Sequence, residues 1–408
     1  MEESSNMKLA FVDNLPVGGG LSRYSLGLCK NLINNYSDLE IDYYIHDDNV
    51  KRMKELYSIE RLTVILLSST KKETLFNYYF KKVFSKFGIG YNNANTINEI
   101  EKCITNKYDL AFFPTAHMMK RPNLTIPMVG TFHDFNWKYF FGATIFDQSF
   151  IEMMNIETLN WFEKGENITL SNFTKDEAKK LFPSAKNFPK VIHIGPLSVY
   201  SKITQTRVDE ILKDLNIDYP YIIFPGNFFP HKNHLNLFTA FHLLNQKNGF
   251  QTYKLLLTGA GSEKIKFGVA EYRGVRLSTA DNFNIRGMGY QTNEFIDALI
   301  LKAKLMVSPS IYEEMCQPAM DAWSFSTPTA LSDIPSFREH EKILGIKSAF
   351  FDPMNPLDIA TVLENYLTDY EKAKSDGNYS KEKMGENTWA IVTKKYMEVF
   401  KTAIQKNK

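Results

Sequence analysis

Short apolar runs alternate with amphipathic stretches along most of this chain, a rhythm that predicts strands and helices in turn. Strand–helix alternation of that kind implies parallel sheets with helices on both faces, an α/β fold. In the first half the pattern gives strands at 8–13, 41–45, 63–67, 110–114, 128–132, 168–171 and 191–194, with a helix at 21–33 after the first. Ser171 and Thr174 offer caps for a helix running through Lys180. A polar stretch at 197–219 lacks strand signal and marks a domain boundary. Further strands are expected at 221–225, 254–257, 284–287, 305–307, 329–331 and 349–351, and a last helix at 388–404. The expected domains are 1–197, completed by the C-terminal helix at 388–408, and 198–387. Tandem units of this type place the carboxyl ends of both sheets around one crevice, the default ligand site of open α/β sheets.

The remaining global properties narrow the class. A length of 408 residues suits two full cores, and 44% apolar with 23% charged residues is ordinary for a globular enzyme. A net charge of +2 argues against a dedicated nucleic-acid binder. Cys29, Cys103 and Cys316 are odd in number and scattered, which fits a reducing compartment, and no Cys/His spacing suggests zinc. The acidic, polar start at Met1-Glu2-Glu3 is no signal peptide, and no apolar run reaches the ~18 residues that span a bilayer. The expected location is cytoplasmic.

The most informative segment runs from Ser308 through Pro309, Ser310, Tyr312, Glu313, Glu314, Met315, Cys316, Gln317 and Pro318 to Asp321 and Ala322. It follows an apolar strand and enters a helix opened by Pro318, a residue suited to a first turn. A strand end, an acid-bearing loop and a helix start with unpaired N–H groups make an anion site. Glu313 and Asp321 stand where both could meet one polyhydroxylated, phosphate-bearing ligand. Taken alone, the pair serves equally as a solvated loop acid and a first-turn dipole partner.

The order of residues here resembles the acid loop of retaining nucleotide-sugar glycosyltransferases of the GT-B class, the family 4-like group that includes bacterial mannosyltransferases (glycosyl transferases group 1). Pro309, Ser310, Tyr312, Glu313, Pro318 and Ala322 match that loop, and Ser326-Thr327-Pro328 leads into the next strand as in the family. Glu314 and Cys316 stand where glycines are usual, and Asp321 replaces a glutamate. Pro225-Gly226-Asn227 through Lys232-Asn233 resembles the family's Gly-Arg-x-x-x-x-Lys segment, with Lys232 in register and Asn227 at the arginine position. Lys232 at a helix start would add a charge to the N–H cluster and hold a diphosphate. Gly18-Gly19-Gly20 with Arg23-Tyr24 resembles the first-domain glycine turn, where a missing Cβ lets the backbone approach a ligand. His133-Asp134, at a strand end, resembles the His-Asp that faces the donor sugar. Gly259 and Met288 lie in turns that line the nucleoside pocket in the family.

The resemblance therefore implies two Rossmann-like domains facing a central crevice, and retaining transfer of a hexosyl group, mannosyl slightly favoured. The acceptor would be a hydroxyl of a glycan or lipid-linked molecule. Glu313, Lys232 and His133 are the implied catalytic residues. Gly19, Gly20, Asn227, Gly259, Met288, Met315, Cys316, Gln317 and Asp321 are the implied donor contacts, with Asp321 on the ribose. No cofactor or metal is implied, the nucleoside-diphosphate sugar being a co-substrate, and there is no Asp-x-Asp in the chain. A helix at 76–87, apolar at 76, 79, 80, 83, 84 and 87 with Lys82 and Lys86 beside the stripe, reads as core packing or as peripheral contact with the inner face of a membrane. The rival classes are a non-catalytic subunit or regulator of the same fold and a nucleotide-sugar epimerase.

Overall fold

The computed structural model describes residues 7–13, 19–46, 54–67, 94–140, 147–195, 203–267, 271–272, 275–276 and 284–407. The chain divides into two compact units: Met1–Ile194 with Trp389–Lys408, and Gly195–Thr388. Gly18 and the 76–87 stretch lie outside the described residues.

The first unit holds β1 (Met7–Asp13), β2 (Leu39–His46), β3 (Leu62–Leu67), β4 (Leu110–Phe113), β5 (Met128–Thr131), β6 (Glu166–Thr169) and β7 (Lys190–Val191). They form one sheet in the order β3-β2-β1-β4-β5-β6-β7, each pair parallel. The helices are α1 (Gly19–Asn35), α2 (Ala94–Cys103), α3 (Gln148–Lys164) and α4 (Asn172–Leu181). Strand β4 is buried along its whole length, as a strand covered on both faces must be. Its Phe113 meets Trp161 of α3, and Phe132, Phe135 and Phe162 fill the same core. Asp147 opens α3 by accepting from the Phe150 N–H at 2.7 Å. Ser171 caps α4 in the same way, and Thr174 supplies the N–H it satisfies, not a second cap.

The second unit begins with α5 (Gln205–Asp214), capped by Thr204, with Val208 and Ile211 buried against Ala298. It lies in the stretch whose polarity gave no strand signal: only one narrow apolar stripe is needed to seat a surface helix. There follow β8 (Tyr221–Pro225), α6 (His234–Asn245), β9 (Lys254–Thr258), a small antiparallel pair β10 (Glu271–Tyr272) and β11 (Val275–Arg276), and β12 (Ile285–Gly287). Then come α7 (Asn293–Lys302), β13 (Leu305–Ser308), α8 (Gln317–Ser324), β14 (Thr329–Ser332), α9 (Pro335–Leu344), β15 (Ala349–Phe351), α10 (Pro356–Thr368) and α11 (Tyr370–Glu386). The main sheet runs β12-β9-β8-β13-β14-β15, again parallel throughout. The chain ends in α12 (Trp389–Lys406), which belongs to the first unit: Tyr396 meets Tyr24 hydroxyl to hydroxyl at 2.7 Å, and Phe400 packs on Phe112.

Each sheet reverses its strand order at one place, between β1 and β4 in the first unit and between β8 and β13 in the second. Loops leaving the carboxyl ends of such a strand pair diverge to opposite faces and open a crevice between them. Among the described residues no helix is long and apolar enough to cross a membrane.

Candidate functional site

In the second unit, Lys232 follows β8 and Glu313 follows β13, so the two groups come from the two sides of the reversal point. The loops carrying them are tied together before the side chains meet. Ile311 N–H donates to the His231 carbonyl at 2.8 Å, and Asn233 Nδ2 donates to the carbonyls of Pro309 and Pro353 at 3.0 and 2.7 Å. Asn233 takes the left-handed conformation, φ 56° and ψ 38°, which asparagine tolerates better than most residues. That turn ends the short Pro230–Lys232 helix and starts α6, leaving Lys232 pointed across to Glu313. The ammonium of Lys232 pairs with Glu313 Oε1, and the same oxygen accepts from the Ser310 hydroxyl at 2.8 Å. Glu313 is 8% exposed, so the pair is shielded from bulk water and its electrostatics are stronger than at an open surface.

The histidines around Lys232 carry no charge. Burial holds His231 well below the usual imidazole range, and Lys232 beside it pushes the same way. His234 falls to about 3, first from burial and then from Lys232, while its ring stacks 3.9 Å from that of Phe228. Lys232 therefore supplies the charge of this turn.

Asn227, at the position where the resemblance expects arginine, uses Oδ1 to accept the Ala260 N–H at 2.8 Å. It thereby joins the loop after β8 to the Gly259-Ala260-Gly261 turn after β9. Gly259 has φ +103°, and a Cβ there would lie 2.5 Å from the Gly226 carbonyl oxygen. A Cβ on Gly287 would lie 1.8 Å from the Ser262 carbonyl. Only glycine fits either place. Ser262 Oγ completes the stitching, accepting from Gly289 N–H at 2.8 Å and donating to the Gly259 carbonyl at 2.9 Å. Met288, half-buried, donates its N–H to the Leu257 carbonyl. Asn227, Gly259 and Met288 thus stand in the loops after β8, β9 and β12, at the same ends of the parallel strands as Lys232 and Glu313.

Helix α8 begins after Cys316, with Pro318 in its first turn and no side chain capping it. Met315 is half-buried at the loop, and burial raises the Cys316 thiol to about 12, with Glu313 adding to the shift. Asp321 has no exposed surface, and its Oδ1 accepts from Gln317 Nε2 at 3.0 Å. The expectation that Glu313 and Asp321 both open onto one ligand meets this difference: Gln317 stands at the carboxylate. Among the described residues no three His, Cys, Asp or Glu side chains gather as a metal site would require.

In the first unit Gly19 and Gly20 begin α1 after β1. His133, 7% exposed, follows β5, with Nε2 2.8 Å from the Pro114 carbonyl. A carbonyl accepts but does not donate, so Nε2 bears a hydrogen and donates it to Pro114. His117 lies edge-on 5.0 Å from that ring, and burial followed by the proximity of His133 holds it well below the imidazole range. His117 was not singled out from sequence, because a lone histidine after an apolar strand carries no spacing signal. Tyr24, part of the expected glycine-turn motif, bonds Thr131 at 3.0 Å and Tyr396 at 2.7 Å, which ties α1 to the sheet and to α12.

Comparison with known proteins places these observations. Residues 208–383 match the family model for glycosyl transferases group 1, so the second unit carries that family's pattern. An uncharacterized glycosyltransferase of Methanocaldococcus jannaschii is 23% identical over 259 residues, 61% of this chain and 63% of that protein. The O-antigen chain mannosyltransferase B of Escherichia coli is 25% identical over 189 residues, 46% of this chain and 47% of that one. The chain thus matches less than two thirds of the length of either curated relative. The crystal structure of Anabaena Alr3699/HepE, solved in complex with UDP and glucose, superposes with a TM-score of 0.64 at 15% identity, covering 97% of this chain and all of that one. The likeness is one of fold: two parallel-sheet Rossmann-like units of the GT-B class.

Proposed function

We propose that this chain is a retaining glycosyltransferase that moves a hexosyl group from a nucleoside-diphosphate sugar to a hydroxyl of a glycan or lipid-linked acceptor. The observation that carries the reading is the Lys232–Glu313 pair at the reversal point of the second sheet, flanked by glycine turns that admit a ligand to the backbone. A cation beside a carboxylate suits a diphosphate joined to a polyhydroxylated ring. The family pattern over 208–383 supports the same assignment, and the Escherichia coli relative, a mannosyltransferase by name, favours a mannosyl donor.

In this reading Lys232 holds the diphosphate and balances the charge that builds as the anomeric C–O bond breaks. The electron pair of that bond leaves with the diphosphate, the acceptor oxygen bonds the same face of the anomeric carbon, and its proton passes to the departing phosphate oxygen. Glu313 takes sugar hydroxyls, Asp321 with Gln317 serves the ribose side, and Met315 and Cys316 offer loop contacts. Asn227, Gly259 and Met288 shape the nucleoside pocket. From the first unit the proposal takes His133 with Gly19 and Gly20. No cofactor or metal is assigned.

Purified protein incubated with a panel of nucleoside-diphosphate hexoses and glycan or lipid-linked acceptors tests the reading. Mass spectrometry of the product reports transfer, and NMR of its anomeric proton reports retention. Conversion of the donor sugar without transfer would identify an epimerase. One observation favours a second reading: Asn227 is committed to Ala260 and leaves Lys232 without a second cation from that position. A non-catalytic relative would bind the donor yet transfer its sugar neither to an acceptor nor to water.

A further inference from the structure

The second oxygen of Glu313 has an orientation that its neighbours impose. Ser310 is fully buried two residues beyond the end of β13, and its hydroxyl donates to Glu313 Oε1 at 2.8 Å. With that proton committed, the Ser308 hydroxyl, 3.3 Å away, is the donor of the Ser308–Ser310 contact. Ser308 is the last residue of β13 and its carbonyl accepts from Ser332 Oγ of β14 at 3.1 Å, so the row of hydroxyls is anchored in the sheet. Lys232 reaches the same Oε1 from the loop after β8. Both bonds fall on Oε1, and neither uses Oε2. A carboxylate is planar, so fixing one oxygen from two directions fixes where the other points. Among the described residues no donor meets Oε2; a carboxylate oxygen so placed accepts hydroxyl hydrogens, and adjacent hydroxyls of a sugar ring supply two of them at the right spacing.

We propose that Ser310 is a positioning residue: with Lys232 it claims Oε1 of Glu313 and so presents Oε2 to hydroxyls of the transferred sugar. The inference rests on the reading given under Proposed function and adds to it the residue that orients Glu313. It also predicts which part of the donor depends on Ser310: the sugar, not the nucleotide. Without the serine hydroxyl the carboxylate still pairs with Lys232 but is free to turn about that single contact.

The test compares Ser310→Ala, Ser310→Thr and Ser310→Ala in a Glu313→Gln background, assaying turnover with the preferred donor and calorimetric binding of UDP and GDP. Loss of one hydrogen bond to a carboxylate should lower kcat by about 10- to 50-fold, while the Kd of the free nucleoside diphosphate stays within about twofold. That unchanged Kd also reports an intact fold. Ser310→Thr, which restores a hydroxyl, should recover most of the rate. Adding Ser310→Ala to Glu313→Gln should cost less than about twofold, because the oxygen being oriented is no longer a carboxylate. A loss of equal size in both backgrounds, or a rate within about threefold of wild type for Ser310→Ala, overturns the role of Ser310 and leaves the transferase reading in place. If the wild-type protein turns over no nucleotide-sugar, the transferase reading itself fails and this proposal falls with it.

Discussion

Replacing Lys232 with methionine keeps most of the aliphatic stem and removes only the cation. In the structure that cation is one-fifth exposed and pairs with a carboxylate whose side chain is 9% exposed, so it acts in a shielded setting. Asn227 cannot replace it, being bonded to Ala260, and His231 and His234 are held neutral by burial. Losing one charge-assisted contact to a leaving group in such a site corresponds to roughly 10²–10³ in rate, about 3–4 kcal/mol of transition-state stabilisation. Stability should also respond. Glu313 would keep Ser310 but lose its counter-charge, and a half-satisfied, mostly buried carboxylate costs about 1–2 kcal/mol. Glu313→Gln in the same chain removes the orphaned charge, so the double variant should be more stable than Lys232→Met alone. A coupled assay for nucleoside-diphosphate release gives the rate, and urea unfolding gives the stability. A loss of turnover below about threefold, or a double variant whose two stability losses simply add, would refute the reasoning.

Glu313→Gln should lower turnover more than donor affinity, whereas Asp321→Asn should chiefly weaken donor binding, and steady-state kinetics separates the two. Gly259→Ala should destabilise the second unit by about 2–4 kcal/mol in urea unfolding, because its Cβ would meet the Gly226 carbonyl at 2.5 Å in a left-handed backbone. Burial raises Asp13 from 3.8 to about 6 in the folded protein, so the fold binds the proton more tightly than the unfolded chain does. Stability from this group is complete below pH ~4 and falls by roughly 3 kcal/mol as pH rises to 6 and above. Asp13→Asn should therefore raise Tm more at pH 7.5 than at pH 4.5, and a difference independent of pH would count against it. Treatment with EDTA should leave transfer unchanged, and inactivation restored by magnesium or manganese would overturn the metal-free assignment.

Much of the sheet framework was legible because parallel strands covered on both faces must be apolar along their length, as β4, β8 and β13 are. Pro318 in the first turn of α8 and the acid loop before it were legible for a similar local reason: their chemistry is contained in a few consecutive residues. What sequence withheld is what depends on residues far apart. Asn227 reads as a missing charge, yet its structural bond goes to Ala260, in the loop after the next strand. Asn233 reads as a neighbour of Lys232, yet its left-handed turn and its bonds to Pro309 and Pro353 are what hold Lys232 against Glu313. Asp321 looks accessible at one turn into a helix, and its burial under Gln317 appears only when the helix is packed. α5 passed unseen since a short helix with one apolar stripe leaves little trace in a polar stretch.

The most direct test of the central claim is a crystal structure of the protein with a nucleoside-diphosphate hexose bound. The account expects diphosphate oxygens at about 3 Å from Lys232 Nζ and sugar hydroxyls at the same distance from Glu313 Oε2, with Oε1 still held by Ser310. A donor bound away from the β8–β13 reversal point, or one whose diphosphate leaves Lys232 paired with Glu313 alone, would contradict it.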